Sequence, residues 1–242
     1  MPRANATLAD RLLKHVLSFS MNELELPEQV TVLDPFNGVH ADEVRRIVTQ
    51  FHGTFYTDNR PRTLMLGINP GRLGAGSTGL PFTDTKRCEV DLGIAVHGLR
   101  THEPSSDFFY RMIRAAGGAE AFYSKVYVHA VCPLGFVKQG PNGQAINLNY
   151  YDDKALEIAI TPFVERWLRT LVQCGMRTDV VICIGTGKNA AFFTRLNDRL
   201  GLFERIIALE HPRYIMQYKA KQFDTYIARY TNALADVAQG DR

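Results

Sequence analysis

The chain has 242 residues, 45% of them hydrophobic and 22% charged, and its 28 Lys and Arg against 25 Asp and Glu leave a formal charge of +3. That balance reads as an ordinary soluble globular protein and excludes a disordered or strongly polycationic chain, while leaving room for a local basic face. No run approaches the roughly 18 apolar residues of a membrane span, the opening MPRANATLADRLLKHVLSF is broken by charge too early for a secretory signal, and four scattered cysteines (Cys88, Cys132, Cys174, Cys183) form no CxxC or CxxH pair, so reduced thiols and a cytoplasmic location are expected.

In chain order, Leu8, Leu12, Leu13, Val16 and Leu17 recur at helical spacing, as do Val44, Ile47, Val48 and Phe51. Residues 1–60 thus read as an N-terminal segment of two helices, joined irregularly around LDPFNG and packed on the rest of a single domain spanning 1–242. Four short β-rich runs follow: TLMLGI (63–68), KVYVHA (125–130), DVVICI (179–184) and RIIALE (205–210). Helical patterns separate and follow them. SSDFFYRMIRAAGG offers Ser105 or Ser106 as N-cap and Gly117 as a stop, ALEIAITPFVERWLRTLVQCG is expected to bend at Pro162, and KNAAFFTRLNDRLG and KQFDTYIARYTNALADV complete the set. Nearly continuous apolar strands alternating with amphipathic helices predict a parallel sheet covered on both faces. Ligands of such sheets sit beyond the carboxyl ends of the strands.

That edge carries unusual sequence. GINPGRLGAGSTGLPF (67–82) follows the first strand, CPLGF comes soon after the second, GTGK (185–188) after the third and HPRYIMQY (211–218) after the fourth. The first loop has neither a Walker lysine nor GxGxxG spacing. Its glycines let backbone amides approach a flat or anionic ligand. Asn69, held extended by Pro70, can hold a water by donating and accepting together, although Asn-Pro alone is an ordinary turn former. His211 sits at the same predicted edge. No zinc-deaminase pattern, GxSxG elbow or conspicuous carboxylate pair accompanies them. One Asn and one His without a strong nucleophile suit a reaction whose leaving group departs nearly unaided.

The ordered set GINPG…GLPF, VHAVCPLGF and HPRYIMQY, over about Thr63 to Tyr218, resembles the uracil-DNA glycosylase superfamily. Within it the chain is most similar to the single-strand-selective monofunctional branch, and there to a second, bacterial subfamily. The resemblance implies an α/β fold, a three-layer αβα sandwich with a four-stranded parallel central sheet. It implies that Asn69 positions the attacking water and that His211 donates a hydrogen bond to the base oxygen where charge develops. Gly67, Ile68, Pro70, Gly71, Leu80 and Phe82 would form the base slot, with Phe82 stacking on the base.

Further implications concern DNA. Thr186, Gly187 and Lys188 match a phosphate-gripping loop, Arg72 and Lys219 can add phosphate contacts, Arg213 lies close to DNA, and Tyr214, Ile215 and Met216 are candidate wedges for the vacated stack. No lysine nucleophile is placed by a motif, so a monofunctional enzyme leaving an abasic site is expected, without metal or cofactor. It would be a monomer associated with the nucleoid when on DNA. The sequence departs from the pattern at Ala130, where the family has an Asn that reads the uracil edge. Three outcomes stay open: activity broadened to xanthine and hypoxanthine, replacement of the reader by His129, Asn147 or Asn149, or weak activity on uracil. The alternatives to a glycosylase are a catalytically weak nucleic-acid-binding module on the same fold and, more remotely, a nucleotide-processing α/β enzyme.

Overall fold

The computed structural model describes residues 6–18 and 24–239. Its first half contains α1 (Leu8–Ser18), β1 (Val30–Leu33), α2 (Ala41–Phe55), β2 (Arg62–Gly67), α3 (Ala75–Thr78), α4 (Thr85–Val90), α5 (Pro104–Ala115) and α6 (Gly118–Tyr123). The second half contains β3 (Val126–Ala130), β4 (Gly135–Gln139), β5 (Ala145–Leu148), α7 (Lys154–Gln173), β6 (Met176–Ile184), α8 (Lys188–Leu200), β7 (Arg205–Leu209), α9 (Pro212–Tyr218) and α10 (Phe223–Gln239).

The four runs read from the sequence form one all-parallel sheet in the order β3-β2-β6-β7, with Gly67 beside Ala130 and Ile184 beside Leu209 at the carboxyl rim. The central β2 is buried at every position, as a strand covered on both faces must be. Alternation along the strands sorts the layers. Tyr127 and His129 point to one side, where the Tyr127 hydroxyl meets His52 of α2 at 3.2 Å and the His129 ring lies 4.6 Å from Trp167 of α7. Gly67 faces the other side, toward Phe82, whose ring stacks on Phe109 of α5. On the first side α1 packs on α2 and α7; on the second, α5 packs on α9 and α10.

A second, antiparallel sheet, β1-β4-β5, was not foreseen. Its hairpin turns at GPNG, where Gly140 N–H donates to Gln144 O at 2.7 Å and Gly143 takes φ +74°, a conformation that only glycine adopts cheaply. The irregular connection expected around LDPFNG is thus partly strand, with β1 laid against β4 in the register Leu33 to Gly135.

One helix start also differs. Pro104, preset for a first helical turn, opens α5, and neither serine caps it. The acceptor comes from elsewhere: Asp84, 1% exposed, bonds the Glu103 amide at 3.0 Å and the Ser106 hydroxyl at 2.9 Å while capping α4 through Arg87 N–H at 3.0 Å. Pro162 lies inside an α7 that continues on both sides of it, with its ring on the exposed flank.

Asp84 therefore joins the end of the first loop to the head of α5. Asp84→Ala strands three donors, two of them backbone, and should lower unfolding free energy by roughly 3 kcal/mol. Urea denaturation checks this; a loss under about 0.5 kcal/mol, the range of ordinary surface substitutions, would remove the clamp from the account.

Two core histidines give the fold a pH signature. Burial pushes the pKa of His52 down to about 4, against its contact with the Val48 carbonyl. Burial, with smaller contributions from His15 and His52, pushes that of His129 down to about 3. Both values lie below the ordinary 6.5, so between these limits the unfolded chain binds more protons than the folded one. Stability is complete above pH 6.5 and falls as pH drops toward 4, by up to about 1.4 kcal/mol per pH unit for each ring. Melting temperature against pH should show this decline, shallower in His52→Gln; a flat profile across the window contradicts it.

Candidate active site

A cavity of about 860 Å³ opens at the carboxyl rim of the parallel sheet. Gly67, Ile68, Asn69, Pro70, Gly71 and Arg72 from the loop after β2 line it, together with Phe82, Ala130 after β3, Asn147 to Asn149 from the hairpin, and His211 and Arg213 after β7. Asn69 and His211 thus share one space, as the sequence reading requires.

Asn69 is held by the second sheet. Its Nδ2 donates to Leu148 O at 3.2 Å, and its Oδ1 accepts from Tyr150 N–H at 3.4 Å. A carbonyl needs a donor and an amide needs an acceptor, so these two contacts fix which way the side chain faces. One Oδ1 lone pair remains for a water. Behind it, the Tyr150 hydroxyl donates to Asn189 Oδ1 at 2.6 Å, and Asn189 Nδ2 donates to Ile184 O at 3.0 Å. This chain ties Asn69 to the end of β6. Tyr150 and Asn189 were not singled out from sequence; the PNG turn was the available signal that INLNY returns to the rim as a strand.

His211 caps α9, and its Nδ1 accepts from Arg213 N–H at 3.1 Å. The ring proton therefore sits on Nε2. Burial, and secondarily the Arg213 charge, push the pKa down to about 4, which makes this imidazole a neutral donor at physiological pH. Its ring lies 5.6 Å from that of Phe82.

Phe82 is the one described non-glycine residue with positive φ, +54°. Such strain costs on the order of 1–2 kcal/mol and collects at functional sites. One ring face stacks on Phe109 at 4.6 Å and 19°, and the edge presses on Gly67, where any Cβ would meet Cζ at 3.0 Å. The glycines after Arg72 serve another purpose than the sequence suggested. The amides of Gly74, Gly76, Ser77, Thr78 and Gly79 all bond within the loop, and that of Arg72 bonds Asn147 Oδ1 at 3.2 Å.

Other expected residues scatter. Leu80 is 2% exposed, belongs to the core and does not line the cavity. Ile215 is fully buried, which corrects its reading as a wedge, and Met216 packs against the core. Tyr214 remains exposed at 43%, its ring 5.5 Å from that of Tyr218. Thr186, Gly187 and Lys188 are exposed at the start of α8, outside the cavity lining, with Lys188 Nζ 5.9 Å from the Tyr151 ring centre. Of the candidate substitutes for the missing reader, His129 also lines the cavity, but its ring packs against Trp167 on the opposite sheet face from Phe82. Asn147 and Asn149 line the cavity with half of each amide committed, to Arg72 and to Asp152 respectively. Among the described residues, no group of three His, Cys, Asp or Glu side chains is arranged to hold a metal, and no helix is long and apolar enough to cross a membrane.

Residues 54–235 match the family described as the Uracil DNA glycosylase superfamily. The chain is 30% identical over 146 residues to the single-strand selective monofunctional uracil-DNA glycosylases of Rattus norvegicus and Mus musculus, an overlap of 53% of this chain and 50% of each relative. It thus spans about half the length of these curated relatives. The crystal structure of Pedobacter heparinus SMUG2 superposes with a TM-score of 0.92 at 43% identity, covering 96% of this chain and 99% of that one. With more than half of its length matched and the parallel sheet in place, the chain belongs to the uracil DNA glycosylase superfamily.

Proposed function

We propose that the chain is a monofunctional DNA glycosylase of base excision repair, which hydrolyses the N-glycosidic bond of a deaminated base flipped out of DNA and leaves an abasic site. The observation that carries this reading is the shared cavity of Asn69 and His211, each with its hydrogen-bonding state fixed by backbone. A base seated against Phe82 receives the Nε2–H of His211 on the oxygen that gains charge as the bond to the sugar breaks. That contact strengthens as charge develops, so it lowers the barrier rather than merely tightening binding. Asn69 Oδ1 accepts from a water and turns its oxygen toward the oxocarbenium-like sugar carbon. No lysine is among the cavity-lining residues, so water rather than an amine attacks.

Ala130, 5% exposed at the rim, gives the base edge a methyl group in place of an amide. We infer a selectivity broadened from uracil toward xanthine and hypoxanthine. Flipping costs least where pairing is already weak, which favours single strands and loose duplexes. Arg72, Arg213 and the exposed Thr186–Lys188 turn are suited to phosphates, and Tyr214 to the vacated stack. The loss of the polar reader at Ala130 is the one feature that favours a binding module with weak chemistry.

The purified protein should release uracil, hypoxanthine and xanthine from single-stranded oligonucleotides, leaving alkali-labile sites. His211→Ala should lower the single-turnover rate by about two to three orders of magnitude, and Asn69→Ala by about two to four. Affinity for an uncleavable 2′-fluoro substrate should stay nearly constant in both. Normal rates in either variant, or no release from any substrate by the parent protein, would defeat the assignment. Nitrogen NMR near neutral pH should find His211 neutral and protonated on Nε2; an imidazolium there contradicts the proposed donor.

A further inference from the structure

Two cavity-lining residues carry a buried polar atom without a partner, His129 at Nδ1 and Glu103 at Oε2, and of these only Glu103 is a carboxyl. Glu103, the residue ahead of α5, lines the cavity, as do His211 and Arg213. Its Oε2 is buried without a hydrogen bond, pressed so closely on Gly74 that a Cβ there would overlap it. The other oxygen makes no hydrogen bond among the described residues and is not among the fully buried unpartnered atoms, in a residue that lines the cavity. The charged and titratable groups around it are few. Arg213 faces it from α9, outside ion-pair distance, and favours the ionised form; Asp84 at the head of α4 opposes it. His211 lines the same cavity, and the exposed His102 leans toward Asp84 at 3.5 Å. Burial and Asp84 outweigh Arg213 and push the carboxyl pKa up to about 7.

A carboxyl has the wrong charge for a DNA backbone, so in a nucleotide cavity its partner belongs on the base. Deamination supplies one. When a ring amine becomes a carbonyl, the neighbouring ring nitrogen changes from a lone-pair acceptor to an N–H donor, in uracil, hypoxanthine and xanthine alike. Ala130 offers that N–H nothing.

Resting on the glycosylase reading above, we propose that Glu103 is a specificity-determining residue whose other carboxyl oxygen accepts the ring N–H of a deaminated base and repels the unprotonated ring nitrogen of cytosine or adenine. Guanine keeps a ring N–H, so its rejection falls to other contacts. The acceptor is the ionised carboxyl, so base selection strengthens as pH rises through the titration of Glu103. The group also costs stability in that range: its folded pKa lies above the ordinary 4.5, so stability present at lower pH is lost as pH rises toward 7.

The test compares the parent protein with Glu103→Gln and Glu103→Ala on oligonucleotides carrying uracil or hypoxanthine and on their counterparts methylated at the ring N–H. Single-turnover rates are read together with affinity for uncleavable 2′-fluoro versions of each. Both variants should lose about 10- to 100-fold on the N–H substrates, the worth of a hydrogen bond to a charged group. Neither should lose further on the methylated ones, so the preference collapses. The parent rate should rise through about pH 7 and that rise should be missing in Glu103→Gln, which should melt higher than the parent at alkaline pH. Equal losses on methylated and unmethylated substrates would overturn the proposal and leave Glu103 acting through Arg213 or through folding. If the parent cleaves nothing, the glycosylase reading fails, and binding then decides: an N–H preference unchanged in both variants overturns the role of Glu103 as well.

Discussion

The site depends on one interaction between two sheets, the side chain of Asn69 bonded to the backbone of the hairpin strand. The amide of Asn69 behaves as a short extra strand, donating to Leu148 O and accepting from Tyr150 N–H. Without that dock, an Asn after a strand end could flip its amide, and the oxygen would have no fixed direction in which to hold a water. With it, the orientation is set before any ligand arrives, and in the proposed reaction such preorganised polarity would avoid reorganisation as the bond breaks. The dock is itself braced through Tyr150 and Asn189 to the end of β6. The parallel sheet therefore carries the loop that bears Asn69, and through β6 and α8 it also holds the hairpin that aims it.

The same economy governs protonation. Burial takes the charge off His211, and the amide of Arg213 takes its Nδ1, so the one proton left points from Nε2. An imidazolium would hold a leaving anion more strongly, but it would also have to be buried charged beside Arg213, and the fold does not favour that state. Phe82 adds a different kind of cost. Its positive φ and its contact with Gly67 hold the ring flat against Phe109, so this wall of the cavity is ordered in advance of any ligand.

What could be read from the sequence follows from the strength of each physical signal. The strands of the parallel sheet are continuous apolar runs because both faces are covered, and such runs stand out. The antiparallel sheet has no such pattern: β1 is half-exposed and β5 is exposed until Leu148, so neither alternation nor hydrophobicity marks them. GPNG between β4 and β5 carries a turn signal, but without patterned strands on either side it does not by itself define a hairpin. That Asn69 and His211 would meet at one rim was legible because strand ends with odd chemistry collect there. Ile215 was misread as a wedge because a seven-residue helix buries one side chain in every turn, and the sequence HPRYIMQY does not say which. Tyr214, one position earlier, falls on the exposed side. The cap of α5 was misplaced for a related reason, since its acceptor, Asp84, lies about twenty residues away in sequence and arrives only through the fold.

Glu103 belongs to the same class of hidden features, and its position carries a consequence. A carboxyl with no partner, pressed on glycine and facing like charge from Asp84, lowers the stability of the protein at neutral pH, where it is partly ionised. A glutamine there would fill the same space without the charge. Folding alone gives no reason for the acid, and DNA electrostatics gives a reason against it. In the proposal the compensation comes from a bound donor, the ring N–H of the extruded base. Under the proposal Ala130 and the Glu103 carboxyl belong together: the methyl group at the end of β3 offers a base edge no polar reader, and an acceptor that suits any ring N–H comes from another residue of the same cavity.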